Sequence, residues 1–256
     1  MPQNIPLVMV HGLFGPLHYF DPAGRMPGIT VLTPDLLGYA HQAPQTQLSL
    51  SAQADELADI LRTQVARPCH LLGHSVGGAV AVLTAARVPE LVKSIVSVEG
   101  NFTLDDAFMC RRIAAMQPDE WAAELRGIQS DPVAWLSRGG IEATPERLQM
   151  AQCILHNQTA TTLWLMARAV VEETAVPGYL QAVRQIMERG IPFHLLAGSR
   201  SAQGWNVPSW VRQGASSDAV LPNCGHMMML EEPDLFCEHL SRCLYSRADA
   251  AIPSTP

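Results

Sequence analysis

Short runs of hydrophobic residues recur along this chain, separated by longer segments in which hydrophobic and polar positions follow a helical period. The runs have the length of buried strands, and six are predicted as strands: Leu7–Val10, Ile29–Leu32, Cys69–Leu72, Ser94–Val98, Phe193–Ala197 and Ala219–Leu221. Four amphipathic segments are predicted as helices: Leu50–Ala66, Gly78–Val88, Tyr179–Glu188 and Pro233–Tyr245. Strands that alternate with helices are typical of a mostly parallel sheet covered on both faces, so the pattern predicts an α/β fold.

One long interval breaks this alternation. Residues 103–176 contain no strand-like run and follow a helical pattern throughout. We expect them to form a helical cap inserted into the sheet domain. The predicted organisation is therefore a core domain made of residues 1–102 and 177–256, with residues 103–176 as the cap.

The predicted cap carries helix start signals and many large apolar side chains. Asp131-Pro132 and Thr144-Pro145 each place a capping side chain before a proline at the first helical position, and Thr103–Asp106 resembles a capping box. The large side chains are expected to form the core of the cap, and several of them to line an apolar cleft. They are Phe108, Met109, Met116, Trp121, Trp135, Met150, Trp164 and Met166.

Composition narrows the class of protein. A chain of 256 residues fits one large α/β domain with an insertion. Its net charge of −7, with acidic and basic residues interspersed, argues against binding to nucleic acid or to polyanionic lipid surfaces. Charged residues make up 16% of the chain, against a usual figure of about 25%. The additional apolar surface fits a large pocket or an oligomer interface, so a monomer and a homodimer both remain open.

Nothing in the sequence indicates export or a membrane span. No segment approaches the ~18 consecutive apolar residues of a membrane helix. The apolar run from Ile5 to Val10 has no preceding basic residue and is followed by His11-Gly12, so it is predicted as a strand and not a signal peptide. The six cysteines show no C-x-x-C pair or metal-like spacing. We therefore expect reduced thiols in a cytoplasmic protein, with a tail that frays from Ala248 to Pro256.

The most specific chemical signal is the segment Gly73–Gly77, which has the pattern G-x-S-x-G between a predicted buried strand and an alanine-rich helix. In a nucleophile elbow the serine has a strained backbone, and the residues two positions away on either side must be very small. Gly73 and Gly77 meet that requirement. Such a turn exposes the Ser75 hydroxyl and directs the Val76 N–H at the group under attack, so Ser75 is the predicted nucleophile.

A serine hydroxyl is a poor nucleophile unless a base takes its proton. The predicted base is His226, because its loop follows the last strand and overhangs the carboxyl ends of the strands, where Ser75 also lies. His74 adjoins the nucleophile, but its side chain is expected to point away from the attack side. His156 in the cap is a possible substrate contact. The remaining histidines within or near predicted elements are assigned structural roles: His70, His194 and His239.

Attack on a carbonyl develops negative charge on oxygen, which preorganised N–H groups stabilise. The Val76 amide is one predicted donor. The turn His11–Gly15 follows the first strand, and its glycines let the backbone approach an oxyanion, so the Leu13 amide is the predicted second donor. His11 is expected to support this turn and not to react. The candidate substrate-binding residues are Phe14, His74, His156, Trp164 and Met227.

These segments together resemble the α/β-hydrolase superfamily over nearly the whole chain. The motifs occur in the order of that family: His11–Gly15 (HGLFG), Pro34–Ala40 (PDLLGYA), Gly73–Gly78 (GHSVGG) and Gly225–Pro233 (GHMMMLEEP). The cap falls where the family places it, after the strand that follows the nucleophile helix. The resemblance implies an open, mostly parallel sheet and a Ser–His–acid triad. Because only Met1 to Pro6 precede the first strand, the two leading strands of larger members are expected to be missing, leaving six.

The acid departs from the family pattern. Its usual place, G-x-x-D after the penultimate strand, reads Gly198–Ser201, and no Asp or Glu occurs in residues 189–217. Glu99 ends the strand after the nucleophile helix, where haloalkane dehalogenases and cofactor-free ring-cleaving dioxygenases carry their acid. A carboxylate closing an apolar strand needs a partner, so Glu99 is the predicted triad acid, with a structural salt bridge as the other interpretation. Asp35 is the second candidate acid, and Asp218 is expected at the far end of the last strand.

A serine nucleophile argues against dehalogenation, which needs an aspartate at that site. The sequence therefore predicts transfer of an acyl group to water through an acyl-enzyme, from an ester or thioester of a medium-sized hydrophobic or aromatic acid. Acids linked to a carrier or to CoA are among the candidate substrates. No metal or organic cofactor is required. Two alternatives remain: the same triad performing C–C bond hydrolysis, a lyase reaction or cofactor-free oxygenation, and a ligand receptor without catalysis.

Overall fold

The computed structural model describes residues 5–40, 42 and 44–245. Its six strands are β1 (Leu7–Val10), β2 (Val31–Leu32), β3 (Cys69–His74), β4 (Val92–Val98), β5 (Phe193–Gly198) and β6 (Ser217–Leu221). They form one sheet in the order β2-β1-β3-β4-β5-β6, and every pairing is parallel. The predicted six-stranded sheet is confirmed, although β2 is shorter than predicted and β3 to β6 are slightly longer.

Twelve α-helices lie within the described residues. They are α1 (Pro22–Arg25), α2 (Leu50–Ile60), α3 (Val76–Arg87), α4 (Phe108–Ala114), α5 (Pro118–Ser130), α6 (Pro132–Arg138), α7 (Pro145–His156), α8 (Ala160–Thr174), α9 (Pro177–Glu188), α10 (Ser209–Gly214), α11 (Met228–Glu231) and α12 (Pro233–Tyr245). The helix predicted over Leu50–Ala66 is α-helical only to Ile60 and continues as a π-helical turn, Leu61–Val65.

Side chains of successive strand residues point to opposite faces of the sheet, and both faces are covered. In β1, Val8 and Val10 belong to one apolar cluster, which also contains side chains of α2, α3 and α9. Leu7 and Met9 belong to a second cluster, which contains side chains of α11 and α12. Burial on both faces explains why the central strands read as continuous apolar runs and not as alternating ones.

The interval between β4 and α9 is helical, as predicted, and contains α4 to α8. Asp131 and Thr144 precede α6 and α7, and the side chain of each accepts a hydrogen bond from an amide of the first turn, which confirms these start signals. The capping-box contacts predicted for Thr103–Asp106 are present: the Asp106 carboxylate accepts the Thr103 amide at 3.1 Å, and the Thr103 hydroxyl accepts the Asp105 amide at 3.2 Å. They close a turn, and α4 begins only at Phe108.

The apolar side chains of this helical segment pack into the same two clusters as the sheet. Side chains of α4, α5 and α8 join the first cluster, and those of α6 and α7 join the second. At the C-terminal end of α8, the Glu173 carboxylate accepts the amides of Leu50 and Ser51 at the start of α2, at 2.6 and 3.1 Å. The segment is thus tied to the sheet by polar and apolar contacts, and its division from the core as a cap domain stays a prediction.

Two further features bear on the predictions from composition. Every helix in the described part of the chain is too short or too polar to cross a bilayer. The six cysteines carry free thiols, of which Cys153 and Cys243 are half-buried and the other four buried. The tail predicted to fray, Ala248 to Pro256, lies outside the described residues.

Candidate active site

Ser75 lies in the turn between β3 and α3 and has φ 53° and ψ −122°. This backbone conformation is unfavourable for a residue with a side chain. Backbone hydrogen bonds hold it in place: the Ser75 amide donates to Val98, and the Ser75 carbonyl accepts the amides of Gly78 and Asn101, at 3.0, 2.9 and 3.2 Å. The turn therefore has the strained conformation predicted for a nucleophile elbow, and the end of β4 supports it.

Glycines allow three segments of backbone to meet around Ser75. A Cβ atom on Gly73 would lie 2.3 Å from the Gly77 carbonyl oxygen, and one on Gly77 would lie 2.3 Å from the Val10 carbonyl oxygen. A Cβ on Gly12 would lie 3.0 Å from the Ser75 Cβ. The loop after β1 thus packs directly against the elbow, and no larger residue fits at Gly73 or Gly77 without displacing backbone.

Glu99 follows β4 and contacts the predicted base. Its Oε2 lies 2.6 Å from Nδ1 of His226, and its Oε1 accepts the Gly198 amide at 2.8 Å and the Ser201 hydroxyl at 2.5 Å. Burial acts to raise the pKa of Glu99. The hydrogen bond and charge of His226, with the bonds from Ser201 and Gly198, outweigh it, so that the pKa lies below its ordinary value. The carboxylate is therefore ionised at neutral pH and has a partner for each oxygen.

His226 lies in the loop after β6, and its side chain is 44% exposed. Since Nδ1 faces Glu99, Nε2 is the ring nitrogen available to a reacting group. The Ser75 hydroxyl forms no hydrogen bond with any described residue, so the bond to His226 expected of a working triad is not made in this structure. Such bonds are often long in enzymes without substrate and shorten when substrate binds.

His74 connects the nucleophile strand to the loop of the base. It is buried, its Nε2 donates to the backbone carbonyl of His226 at 3.0 Å, and the two rings lie 4.6 Å apart. Burial, and then the charge of His226, lower the pKa of His74 to about 3, so the ring is neutral. These contacts favour a role for His74 in holding the His226 loop. They do not favour the substrate contact that was predicted from sequence.

The two predicted oxyanion donors are amides without acceptors. Val76 is the first residue of α3, where an amide has no partner within the helix. Neither the Val76 amide nor the Leu13 amide donates to an acceptor among the described residues. The Leu13 carbonyl accepts the Tyr39 hydroxyl at 2.8 Å, which fixes the orientation of this part of the loop. Both amides thus lie on segments that adjoin Ser75, and their role as oxyanion donors stays a prediction.

His11 and Asp35 fasten neighbouring loops. The His11 ring donates from Nδ1 to the Gly12 carbonyl at 2.8 Å and accepts the Leu36 amide on Nε2 at 3.1 Å. Asp35, the second candidate acid, accepts a hydrogen bond from Asn157 at 3.0 Å, and the carboxylate in contact with His226 is that of Glu99. The third acid, Asp218, lies near the start of β6 and pairs with Arg212 at 2.5 Å.

The other predicted substrate contacts lie in different surroundings. Phe14 is half-buried and packs against both apolar clusters, and Met227 is half-buried against the second. Trp164 donates its indole N–H to the Met116 carbonyl at 3.0 Å. His156 is exposed, and its ring bonds to a carbonyl of its own helix. Contact with substrate stays a prediction for all four residues.

Two surface depressions do not involve the site. One of about 640 Å³ lies beside α4 and is lined by Phe108, Arg111, Arg112, Ala114, Ala115 and Val171. One of about 300 Å³ is lined by Pro34, Asp35, Gln42, Ile60 and Gln64. Among the large cap side chains, Trp121 and Met166 are buried in the first cluster, while Phe108 is 71% exposed. The predicted apolar cleft above Ser75 therefore does not correspond to either depression.

Sequence reasoning missed several residues that shape the site. Ser201 occupies the fourth position of Gly198–Ser201, where the family resemblance places the acid, and this position was the available signal for its contact with Glu99. The carbonyl oxygen of the buried Gln158 side chain accepts the Gly15 amide at 3.2 Å, and no pattern in the sequence marks it. In the described part of the chain, no group of three or more His, Cys, Asp or Glu side chains is arranged to hold a metal ion.

Comparison with known proteins agrees with this fold. Residues 7–239 match the model of the alpha/beta hydrolase family, so the chain belongs to that family. The solved structure of a thermophilic esterase from Thermogutta terrifontis superimposes with a TM-score of 0.72, at 17% identity, over 95% of this chain and 90% of that one. At this identity the likeness concerns the fold.

Relatives by sequence include lipases. The chain is 28% identical over 178 residues to the sn-1-specific diacylglycerol lipase ABHD11 of Xenopus tropicalis, a match that covers 66% of this chain and 54% of that protein. It is 34% identical over 94 residues to Lipase 3 of Moraxella sp. (strain TA144), which covers 35% of this chain and 30% of the lipase. The chain thus spans about half, or less, of the length of these relatives.

Proposed function

We propose that this protein is a serine hydrolase that cleaves an ester or thioester of a medium-sized hydrophobic or aromatic acid through an acyl-enzyme. The observation that carries the proposal is the 2.6 Å contact between Glu99 and His226 beside an elbow serine. Family membership and the lipases among its relatives support ester hydrolysis as the reaction. A small share of charged residues, 16%, supports an apolar substrate.

The proposed reaction uses each group for one task. Nε2 of His226 takes the Ser75 proton as Oγ attacks the carbonyl, and the amides of Leu13 and Val76 stabilise the oxyanion. His226 then protonates the leaving alcohol or thiol, which leaves an acyl-enzyme on Ser75. In the second half, His226 takes a proton from water as it attacks the acyl group, and it returns that proton to the Ser75 oxygen as the acid is released. Glu99 holds the proton on Nδ1 and stabilises the imidazolium.

The experiment that tests this is a panel of p-nitrophenyl esters and acyl thioesters of varied chain length, assayed with the wild-type protein and Ser75→Ala. We expect turnover that depends on acyl length, labelling of Ser75 by a fluorophosphonate, and loss of both in Ser75→Ala. A burst of p-nitrophenol that persists in Ser75→Ala contradicts the nucleophile. Oxygen consumption with a heteroaromatic substrate favours the oxygenase alternative, and failure to label favours a receptor.

Replacement of the acid tests its role separately. Glu99→Gln is expected to lower kcat by about 10²- to 10⁴-fold, because an amide neither holds the productive tautomer nor stabilises the imidazolium. Asp35→Asn is the matched control and is expected to retain most activity, since Asp35 contacts Asn157. Steady-state kinetics with the best ester of the panel measures both. Full activity of Glu99→Gln together with an inactive Asp35→Asn would assign the acid to Asp35.

A further inference from the structure

Residues 198–201, which comprise the last residue of β5 and the turn after it, lie between Glu99 and the loop that carries His226. We propose that this segment positions both members of the acid–base pair: Ser201 orients the Glu99 carboxylate, while Ser199 and Arg200 fix the loop of His226. The inference rests on the proposed function, because it assigns these residues a task in the same site. Ser201 is proposed as a positioning residue that acts through Glu99.

The segment donates two hydrogen bonds to one oxygen of the Glu99 carboxylate. Oε1 of Glu99 accepts both the Gly198 amide and the Ser201 hydroxyl, at 2.8 and 2.5 Å. Two donors from one short segment fix the plane of the carboxylate, which directs Oε2 at Nδ1 of His226. The carboxylate is buried, so water is a poor substitute for a lost donor. The alignment of Oε2 therefore depends on the Ser201 hydroxyl.

On the base side, the same segment is bonded to the loop after β6. The amides of Ser199 and Arg200 donate to the carbonyls of Leu221 and Cys224, both at 2.9 Å. The Ser199 hydroxyl accepts the Asn223 amide at 2.9 Å, and the Arg200 guanidinium donates to the Asn223 carbonyl. Residues 221 to 224 are thus attached to the segment before the chain reaches His226.

Arg200 extends this attachment through a buried carboxylate. Glu231 has a side chain 5% exposed, and its two oxygens bind Arg200 at 2.6 Å and the Gly225 amide at 2.7 Å. Arg200 also donates to the Gly139 carbonyl after α6, and Arg147 of α7 donates to the Glu231 carbonyl, at 3.1 and 2.9 Å. Gly225, the residue before His226, is therefore held by Glu231, which has contacts with the helical insertion and with the segment after β5.

A double-mutant cycle separates positioning through Glu99 from a structural role. Ser201→Ala is expected to lower kcat about tenfold with KM within about twofold, since it removes one hydrogen bond to a charged group. In a Glu99→Ala background the same change is expected to cost less than about twofold, because the group it orients is gone. Equal loss in both backgrounds overturns the proposal. Ser241→Ala, which removes a helical hydroxyl of α12, is the control and keeps full activity.

A second pair of variants protects the test against misfolding. Ser201→Thr keeps the hydroxyl. Ser201→Val introduces a side chain of the same shape as threonine but without the hydroxyl. We expect at least half of wild-type kcat in the threonine variant and a loss of about tenfold in the valine variant. Equal kcat in these two variants contradicts the role of the hydroxyl, whatever their stability.

The ion pair of Arg200 and Glu231, which attaches the His226 loop, is called the loop clamp. It is tested by removing both charges together. Arg200→Met/Glu231→Gln leaves no unpaired buried carboxylate, and Arg62→Met, at an exposed ion pair, is the control. The readout is the downfield NMR signal of the proton between Nδ1 of His226 and Glu99, with kcat alongside. We expect the signal to broaden or disappear and kcat to fall about tenfold or more, and an unchanged signal and kcat refute the clamp. If the wild-type protein shows neither ester turnover nor fluorophosphonate labelling, the proposed function fails, which is a different outcome from equal losses in the cycle.

Discussion

Two residues of the candidate site have backbone conformations that side chains rarely adopt. Ser75 has φ 53° and Glu99 has φ 43°, and they end the adjacent strands β3 and β4. The Ser75 amide donates to Val98 and the Glu99 amide donates to Leu196, both at 3.0 Å, so the sheet holds both residues in place. Each such conformation costs about 1 to 3 kcal/mol. Strain is therefore located at two residues proposed to carry the reaction.

The strain at Ser75 predicts a stability change that is separate from activity. Ser75→Gly is expected to have a free energy of unfolding about 1 kcal/mol higher than Ser75→Ala, because glycine adopts this φ and ψ without steric cost. Urea denaturation of the two variants measures the difference, and both are expected to be inactive in the ester assay. A glycine variant no more stable than the alanine variant would mean that the turn stores no strain.

At the residue scale, motifs in the sequence located Ser75, His226 and Glu99, and the structure brings the last two into contact. Their catalytic roles stay predictions. The bond from Ser201 to Glu99 and the burial of His74 could not be read from sequence. Both depend on the direction of a side chain across segments far apart in the chain, which neither composition nor periodicity encodes.

At the scale of elements, the site depends on the close approach of α3 to the ends of β1 and β3. The first turn of α3 contains Gly77, whose Cα faces the Val10 carbonyl at the end of β1. This contact sets the distance from the elbow to the loop with the Leu13 amide. The geometry of the proposed oxyanion donors is thus a consequence of how one helix packs on two strands.

A matched pair of glycine substitutions tests this packing. Gly77→Ala is expected to destabilise the fold by at least about 2 kcal/mol and to prevent fluorophosphonate labelling, since its Cβ would lie 2.3 Å from a backbone oxygen. Gly127→Ala on α5 meets nothing within 4 Å and is expected to stabilise by about 0.5 to 1 kcal/mol. Denaturation midpoints measure both. A Gly77→Ala protein as stable as wild type would contradict the close contact.

The sequence predicted elements well where hydrophobic pattern decides them. The central strands β3 and β4 are buried on both faces and were recognised from their apolar runs. The edge strand β2 has only two residues and pairs with Leu7 and Val8 alone, although β1 continues to Val10. That length is not visible in the hydrophobic pattern of β2. The capping box at Thr103–Asp106 was recognised from sequence, but it closes a turn, and α4 begins only at Phe108.

At the scale of the whole molecule, buried neutral histidines make the fold sensitive to acid. His70 lies in β3 and bonds to the Ser94 hydroxyl at 2.7 Å. Burial, then the charges of His194 and Lys93, lower its pKa to about 4. The unfolded chain therefore binds a proton below about pH 6.5 that the folded protein does not bind until about pH 4. Stability is lost as the pH falls through this window.

His70→Gln is expected to flatten the dependence of stability on pH. Between about pH 6 and 4.5, the slope of the free energy of unfolding against pH should fall by up to about 1.4 kcal/mol per unit, the value for one proton. Urea denaturation at several pH values measures the slope, irrespective of any constant change in stability. An unchanged slope would show that His70 protonates equally in both states.

The backbone contacts around the elbow also restrict how this fold could diversify. A single methyl group at Gly73 or Gly77 would overlap a carbonyl oxygen at 2.3 Å. In a library of variants made to change acyl selectivity, most substitutions at Gly73 or Gly77 are therefore expected to give proteins that do not fold correctly. Changes in acyl selectivity are therefore expected from substitutions at positions other than these two glycines.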